Sequence, residues 1–211
     1  MTDQDPNWLR SGHTDPADVA KVYDDWAATY DRDLRSWRYQ APSLTVAALA
    51  EAQPSAGKVL DVGCGSGLVG IELRTAGFAD ITGIDLSSSA LELALATGAY
   101  EVVRQADVQS GPIPFDDDRF DALVCVGVMT YLPDTTAVVT DFCRVVGQGG
   151  SILFTQRQDL WEPRDCQRDL DHLAEAGVCH IESVSDPLPY LPDSDELGDV
   201  PIRLVHLRSA G

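Results

Sequence analysis

The run Val59-Leu60-Asp61-Val62-Gly63-Cys64-Gly65-Ser66-Gly67 contains the residues whose types and spacing best suit a chemical role. An apolar segment leads into three glycines at alternate positions, and a helix-like apolar segment follows. Glycine has no Cβ and tolerates positive φ, so a polar ligand can lie directly against the backbone of such a loop. The acidic end of a ligand can then meet the N-terminus of the following helix, where unpaired N–H groups favour negative charge. The run therefore predicts a nucleoside-cofactor site.

Two cofactor classes fit these glycines. The segment Gly65-Ser66-Gly67-Leu68-Val69-Gly70 satisfies the dinucleotide pattern G-x-G-x-x-G, and Asp85 lies about where the ribose-binding acid of that pattern is expected. Asp61 inside the strand and Gly63 extend the series upstream to D-x-G-x-G-x-G. The longer series resembles motif I of the class I S-adenosylmethionine-dependent methyltransferases.

The resemblance to this family covers about residues 17–208 and implies further roles. Asp85, at the end of the second strand, would accept hydrogen bonds from the ribose hydroxyls, or would only cap a helix. Asp107 would accept from the adenine amine, or would only cap a strand-end turn. The cofactor-binding residues implied in this part of the chain are Asp61, Gly63, Cys64, Gly65, Gly67, Asp85, Leu86, Ala106, Asp107, Val108, Val126 and Met129.

Candidates for the methyl-acceptor side follow the fourth and fifth strands. Tyr131 lies in the loop that the family places beside the reactive methyl group, and core packing explains it equally well. Arg157 follows the fifth strand at the carboxyl edge, where open α/β sheets bind ligands, or belongs to an exposed loop. No residue in the family pattern identifies a catalytic base.

The segment Val22-Tyr23-Asp24-Asp25-Trp26-Ala27-Ala28-Thr29-Tyr30-Asp31 resembles a helix of small-molecule relatives, most closely the methyltransferase-like proteins of the Williams–Beuren region. In those relatives the helix covers the cofactor pocket. The resemblance implies that Trp26 and Tyr30 contact the cofactor, although packing of an aromatic stripe on the sheet explains them too. We expect a helical lid over about residues 15–53.

The elements that position these residues alternate between strand and helix patterns. Strands are predicted at 58–62, 80–84, 100–105, 120–126 and 150–155, with helices at 68–76, from Ser87 to Gly98, and from Asp134 or Thr135 to Val146. Two N-terminal helices begin at Asp15 and Pro42. A helix at 164–176 and strands at 179–185 and 202–208 follow. The predicted fold is Rossmann-like α/β: a seven-stranded, mostly parallel sheet with helices on both faces and an antiparallel C-terminal strand pair.

The amino-acid composition disfavours several classes of binding partner. The chain has 211 residues and a net charge of −19, which disfavours nucleic acid and anionic membranes as partners. Five scattered cysteines form no zinc pattern, so we expect reduced thiols and no metal site. No apolar run approaches the ~20 residues that span a bilayer. We expect a flexible tail at 1–14, one domain at 15–211, and a cytoplasmic protein.

These observations predict a methyltransferase that uses S-adenosylmethionine, yields S-adenosylhomocysteine and acts on a small molecule. Two alternatives stay open at this point. One is a cofactor-binding protein of the same fold that regulates a partner without turnover. The other is an NAD-dependent oxidoreductase.

Overall fold

The computed structural model describes residues 14–211, and within the first helix it describes only the backbone of Ala20 and of residues 23–31. The predicted tail at 1–14 therefore lies almost wholly outside the described residues. The helices are α1 (Pro16–Ser36), α2 (Ala41–Ala52), α3 (Leu68–Thr75), α4 (Ser88–Ala96), α5 (Thr135–Val145), α6 (Gln158–Trp161) and α7 (Cys166–Glu175). The strands are β1 (Lys58–Val62), β2 (Asp80–Asp85), β3 (Val102–Gln105), β4 (Phe120–Cys125), β5 (Val146–Arg157), β6 (Cys179–Val184) and β7 (Ile202–Ser209).

The seven strands form one sheet in the order β3-β2-β1-β4-β5-β7-β6. Strands β1 to β5 pair in parallel, and β7 lies antiparallel between β5 and β6. The predicted fold class is confirmed. The strand order reverses at β1, whose neighbours β2 and β4 continue the sheet in opposite directions. In open α/β sheets, ligands bind beyond the carboxyl ends of the strands at such a reversal.

Successive side chains of a strand point to opposite faces of the sheet, and β1 shows the consequence. Val59 packs with α2, α3 and α4 on one face. Leu60 and Val62 pack with α5 and α7 on the other face. By this alternation Asp61 lies on the same face as Val59, and its side chain is fully buried although aspartate is an ionisable residue.

Three side-chain caps begin helices where the sequence predicts them. Asp15 accepts hydrogen bonds from the backbone N–H groups of Ala17 and Asp18. Ser87 and Asp134 each accept one bond from the third residue after them, at Ala90 and Ala137. Because these bonds satisfy N–H groups that have no partner within the helix, they fix where α1, α4 and α5 begin.

Several boundaries differ from the prediction. β5 begins at Val146, four residues earlier than predicted, because Val146 pairs with Phe120 ahead of a register shift. β3 begins at Val102, two residues later than predicted. α2 packs against α3 and β5 in a helix layer on the sheet. The cavity described below is lined from this N-terminal region only by the start of α1, so the lid expected over 15–53 reaches it only there among the described residues.

Candidate functional site

The glycine loop after β1 adopts backbone conformations that favour glycine. Gly63, Gly65 and Gly67 have φ values of +71°, +51° and +99°. A Cβ at Gly63 would lie 2.2 Å from Val128 Cγ2, so the segment after β4 packs directly on the loop backbone. A Cβ at Gly65 would meet no atom within 4 Å. Gly63 is thus required by packing, whereas Gly65 leaves open space beside the loop.

The Asp85 carboxylate joins this loop to the start of α4. Its Oδ2 accepts a hydrogen bond from Gly65 N at 2.8 Å, and its Oδ1 accepts one from Ser87 N at 2.9 Å. Because the two bonds hold both carboxylate oxygens, they fix the orientation of the group. An oriented carboxylate at the end of β2 suits a vicinal diol such as a ribose.

Asp107, at the end of the next strand, caps its own turn. Oδ1 accepts from Gln109 N at 2.9 Å, and Oδ2 accepts from the Ser110 hydroxyl. The Gln109 side chain then bridges two segments, because its Nε2 donates to the backbone oxygens of Thr14 and Tyr131, both at 3.0 Å. Gln109 therefore ties the start of the N-terminal helix to the segment after β4.

A cavity lies between these segments. Its floor and walls are mostly apolar. Two carboxylates, those of Asp85 and Asp107, line it, and the described lining residues include no Lys, Arg or His. The start of α1 contributes Pro16 and Val19. The cavity therefore favours a neutral or cationic nucleoside over a ligand that carries a pyrophosphate.

Nine of the residues predicted for the site lie together around this cavity. They come from the glycine loop, the ends of β2 and β3, and the segment after β4. They are Gly63, Gly65, Asp85, Leu86, Ala106, Asp107, Val108, Val126 and Tyr131.

Asp61, Cys64 and Gly67 do not line the cavity. Asp61 is fully buried, and its Oδ2 accepts a hydrogen bond from the Tyr100 hydroxyl at 2.7 Å. Burial raises the pKa of Asp61 to about 7. Burial also raises the pKa of the Cys64 thiol, so it stays protonated. Gly67 precedes α3 in a left-handed conformation and packs near Ala94 and Tyr100. All three residues therefore pack against the core and do not face the cavity.

Met129 and Arg157 also lie away from the cavity. Met129 is 1% exposed and packs in the core with α5. Arg157 is 4% exposed, and its Nε donates to Asp159 Oδ1 at 3.0 Å. The carboxyl edge of β5 is covered here, so Arg157 belongs neither to an exposed loop nor to the cavity lining. The side chains of Trp26 and Tyr30 lie outside the described residues.

Sequence reasoning did not identify four residues that shape the site: Tyr100, Gln109, Val128 and Arg164. Arg164 donates to the backbone oxygens of Met129, Thr130 and Leu132, and so holds the 3₁₀ turn that carries Tyr131. These contacts join residues that are distant in sequence. Of these four residues, only Tyr100 has a signal in the sequence. Gly67, Gly70 and Gly83 have no side chains and leave space for its large ring.

Other chemistry is limited in the part of the chain that the structure describes. Among the side chains that the structure describes, no group of His, Cys, Asp or Glu is arranged to hold a metal ion. No described helix is long and apolar enough to cross a membrane. The five cysteines are all buried as free thiols, as expected from the sequence.

The fold and the cavity together define an α/β enzyme of the type that holds a nucleoside cofactor where the strand order reverses. Comparisons with known proteins are more specific. A family described as "Methyltransferase domain" matches residues 60–154. Human methyltransferase-like protein 27 is 34% identical over 178 residues, which cover 81% of this chain and 72% of the human protein.

A second relative matches less of the chain, and a solved structure shares its fold. The ubiquinone biosynthesis O-methyltransferase of Alkalilimnicola ehrlichii is 35% identical over 102 residues, and the match covers 46% of this chain and 40% of that enzyme. A crystal structure of a SAM-dependent methyltransferase from Thermotoga maritima superposes with a TM-score of 0.64 at 16% identity. That match covers 91% of this chain and 99% of the other, and it shows the shared fold.

The chain belongs to the class I S-adenosylmethionine-dependent methyltransferases. Its cofactor is accordingly S-adenosylmethionine, and the residues present fit it. The open space at Gly65, the oriented Asp85 carboxylate and a lining with no described cationic side chain all suit a nucleoside that carries a sulfonium cation.

Proposed function

We propose that this methyltransferase acts on a small-molecule acceptor that enters beside the segment from Val126 to Leu132. Bound cofactor supplies an electrophilic methyl group whose sulfur leaving group is already activated. The chain then has to hold an acceptor atom in line with that methyl group at near-attack distance. The observation that carries the proposal is the cavity itself, which both Asp85 and Tyr131 line.

The proposed cofactor residues have separate tasks. Asp85 would hold the ribose, and Asp107 with the Val108 backbone would hold the adenine. Gly63 and Gly65 would leave room for the methionine portion. Support comes from the placement of all five around one cavity at the ends of β1, β2 and β3.

The acceptor side is proposed to be formed by Tyr131 and its neighbours after β4. Tyr131 lines the cavity, while its backbone oxygen accepts from Gln109. Arg157 would act from behind this wall, since its guanidinium interacts electrostatically with Tyr131 and Tyr190. Burial lowers the pKa of Arg157, but the hydrogen bond and charge of Asp159 outweigh burial and raise it. The described lining offers no His, Lys or Glu that could serve as a base. Acceptors whose nucleophilic atom is unprotonated near neutral pH therefore suit this site best.

A closer kinship with the methyltransferase-like proteins of the Williams–Beuren region is part of the same proposal. The match to human methyltransferase-like protein 27 extends over most of this chain, unlike the ubiquinone enzymes, which match less than half of it. In this picture α1 and its segment from Val22 to Asp31 form the helical lid. The chain would work as one domain from residue 15 to 211.

An acceptor panel tests the proposal. The purified chain is incubated with S-adenosylmethionine and with phenols, catechols, thiols and amines, and S-adenosylhomocysteine formation is measured by mass spectrometry. Acceptors whose nucleophilic atom is unprotonated near neutral pH form the first arm, and hydroxyl acceptors form the second, because one relative is an O-methyltransferase. We expect turnover with at least one class, which Asp85→Ala reduces through the KM for the cofactor.

Tyr131→Phe separates the two sides of the cavity. It is expected to raise the KM for the acceptor and to leave cofactor affinity unchanged. Cofactor binding without product from any acceptor class would contradict the proposal and favour a regulatory protein of the same fold.

A further inference from the structure

The Tyr100 hydroxyl makes two buried hydrogen bonds beneath the glycine loop. It donates to Asp61 Oδ2 at 2.7 Å and accepts from the Gly70 backbone N–H at 3.0 Å. Asp61 lies in β1, and Gly70 lies in the first turn of α3. One hydroxyl therefore connects the two elements that flank the loop.

The Tyr100 ring occupies a slot that only glycines can form. A Cβ would lie 3.2 Å from the ring at Gly67, 2.3 Å at Gly70 and 2.9 Å at Gly83. These glycines belong to the loop, to α3 and to β2. Because buried side chains are close-packed, the ring fixes the relative positions of these three backbones.

Asp61 is the polar group whose hydrogen bonding and ionisation depend most on this arrangement. Its Oδ1 is buried and has no hydrogen-bond partner among the described residues. Burial raises its pKa to about 7, and the Tyr100 hydrogen bond opposes that rise because it stabilises the ionised form. Asp61 is two residues from Gly63, which lines the cavity.

We propose that Tyr100 is a positioning residue for the cofactor site, acting through Asp61 and the glycine loop. Its hydroxyl orients the Asp61 carboxyl under the loop and favours its ionised form, and its ring holds Gly67 and Gly70 in place. In its ionised form Asp61 adds negative charge two residues from Gly63, which favours a cationic cofactor. This inference rests on the proposed assignment of the cavity to S-adenosylmethionine.

The titratable groups that face Asp61 come from four places. They are Tyr100, Cys64 on the loop, Cys125 on β4 and Asp85 on β2. Burial raises the pKa of Tyr100, of Cys64 and of Cys125, so these three remain neutral near pH 7. A titration near neutral pH in this group therefore belongs to a carboxyl, and its loss in Asp61→Asn would assign it to Asp61.

The test compares wild type with Tyr100→Phe, which keeps the ring and removes the hydroxyl. Ile152→Val, a fully buried change on β5 outside the loop, serves as the control for a mild loss of stability. Carboxyl ¹³C NMR of the cofactor-free protein gives the Asp61 midpoint, with Asp61→Asn identifying the signal. Calorimetry with S-adenosylhomocysteine from pH 5.5 to 8.5 gives the affinity.

For Tyr100→Phe we expect an Asp61 midpoint above that of wild type and an affinity at pH 7 weaker by about five- to tenfold, the scale of one lost hydrogen bond. The rise of affinity with pH should move to higher pH by the same interval. Ile152→Val should match wild type in both measurements. The proposal is overturned if Tyr100→Phe only lowers the melting temperature and leaves affinity and its pH profile unchanged.

A different result separates this inference from the proposed function. If the Asp61 midpoint shifts as expected but wild type itself does not bind S-adenosylhomocysteine, the cofactor assignment fails and the positioning role fails with it. If wild type binds and Tyr100→Phe binds equally well across the pH range, only the role of Tyr100 fails.

Discussion

At the scale of single residues, the site depends on polar groups that the fold orients in advance. Asp85 is held by two backbone N–H groups, Asp107 by its own turn, and Gln109 by two carbonyl oxygens. Such preorganisation lowers the entropy that a ligand loses when it binds, because the groups it meets are already ordered. The same residues explain why the sequence predicts cofactor contacts better than acceptor contacts.

Arg164 provides a residue-scale prediction. Its guanidinium donates to three carbonyl oxygens of the turn that carries Tyr131, and burial lowers its pKa. Arg164→Ala leaves those carbonyls without this donor, so we expect the free energy of unfolding to fall by about 1–3 kcal/mol in urea titrations.

Arg168→Ala is the matched control for that change. Arg168 follows four residues later, its side chain is 74% exposed, and it pairs with Asp165 at the surface. Such pairs contribute roughly 0–1 kcal/mol. Equal losses for the two variants would show that the carbonyl contacts of Arg164 do not stabilise the turn.

At the scale of elements, the sequence pattern predicts the strands, the helices and their caps. It does not predict the long-range contacts that pack these elements around the site. Asp15, Ser87 and Asp134 cap helices as predicted because a cap is a contact between residues two or three apart. Tyr100 lies 30 or more residues from Gly70 and Asp61, so its slot exists only once the sheet has formed. The sequence leaves open whether Arg157 belongs to an exposed loop, because its burial beside Asp159 at the edge of β5 arises only in the folded chain.

The glycine loop gives an element-scale prediction. Gly65 and Gly177 both have positive φ, at +51° and +73°, and a Cβ at either would meet nothing within 4 Å. Changing either one to alanine should therefore cost a similar amount of stability, about 1–2 kcal/mol for a left-handed backbone. Only Gly65→Ala puts a methyl group beside the cavity.

Thermal unfolding and calorimetry with S-adenosylhomocysteine distinguish the two glycine variants. We expect similar melting temperatures, with affinity lost for Gly65→Ala and kept for Gly177→Ala. If Gly65→Ala binds as well as Gly177→Ala does, the cofactor does not lie against this part of the loop.

At the scale of the whole molecule, surface negative charge favours a cationic ligand, whereas the buried carboxyl of Asp61 lowers stability as it ionises. The net charge of −19 lies on a chain whose cavity also contains carboxylates, so the overall potential favours a cationic ligand. Burial of a carboxyl group lowers stability when that group is ionised, and in this protein the buried carboxyl is that of Asp61 in β1. Its pKa rises from 3.8 to about 7 on folding.

The sign of the resulting pH dependence follows from proton linkage. Between pH 3.8 and about 7 the folded state holds a proton on Asp61 that the unfolded state has released, so stability falls as pH rises through this window. Asp61→Asn removes this dependence. The difference in unfolding free energy between Asp61→Asn and wild type should become more favourable to the variant by roughly 2–3 kcal/mol from pH 5 to pH 8.

Urea titrations of both proteins at the two pH values measure this difference without cofactor present. Other carboxylates titrate alike in the two proteins, and their contributions cancel. A difference that stays constant with pH would mean that Asp61 is not protonated in the folded protein at pH 5.

The assignment of the cavity to S-adenosylmethionine is tested most directly by calorimetric titration of S-adenosylhomocysteine into wild type and Asp85→Ala, with NADH as the competing ligand. We predict micromolar binding of S-adenosylhomocysteine to wild type and no retention of NADH. Asp85→Ala should weaken the affinity by about 1–3 kcal/mol, as expected for lost charge-assisted hydrogen bonds. Binding of NADH without S-adenosylhomocysteine, or equal affinity in wild type and Asp85→Ala, would contradict the account.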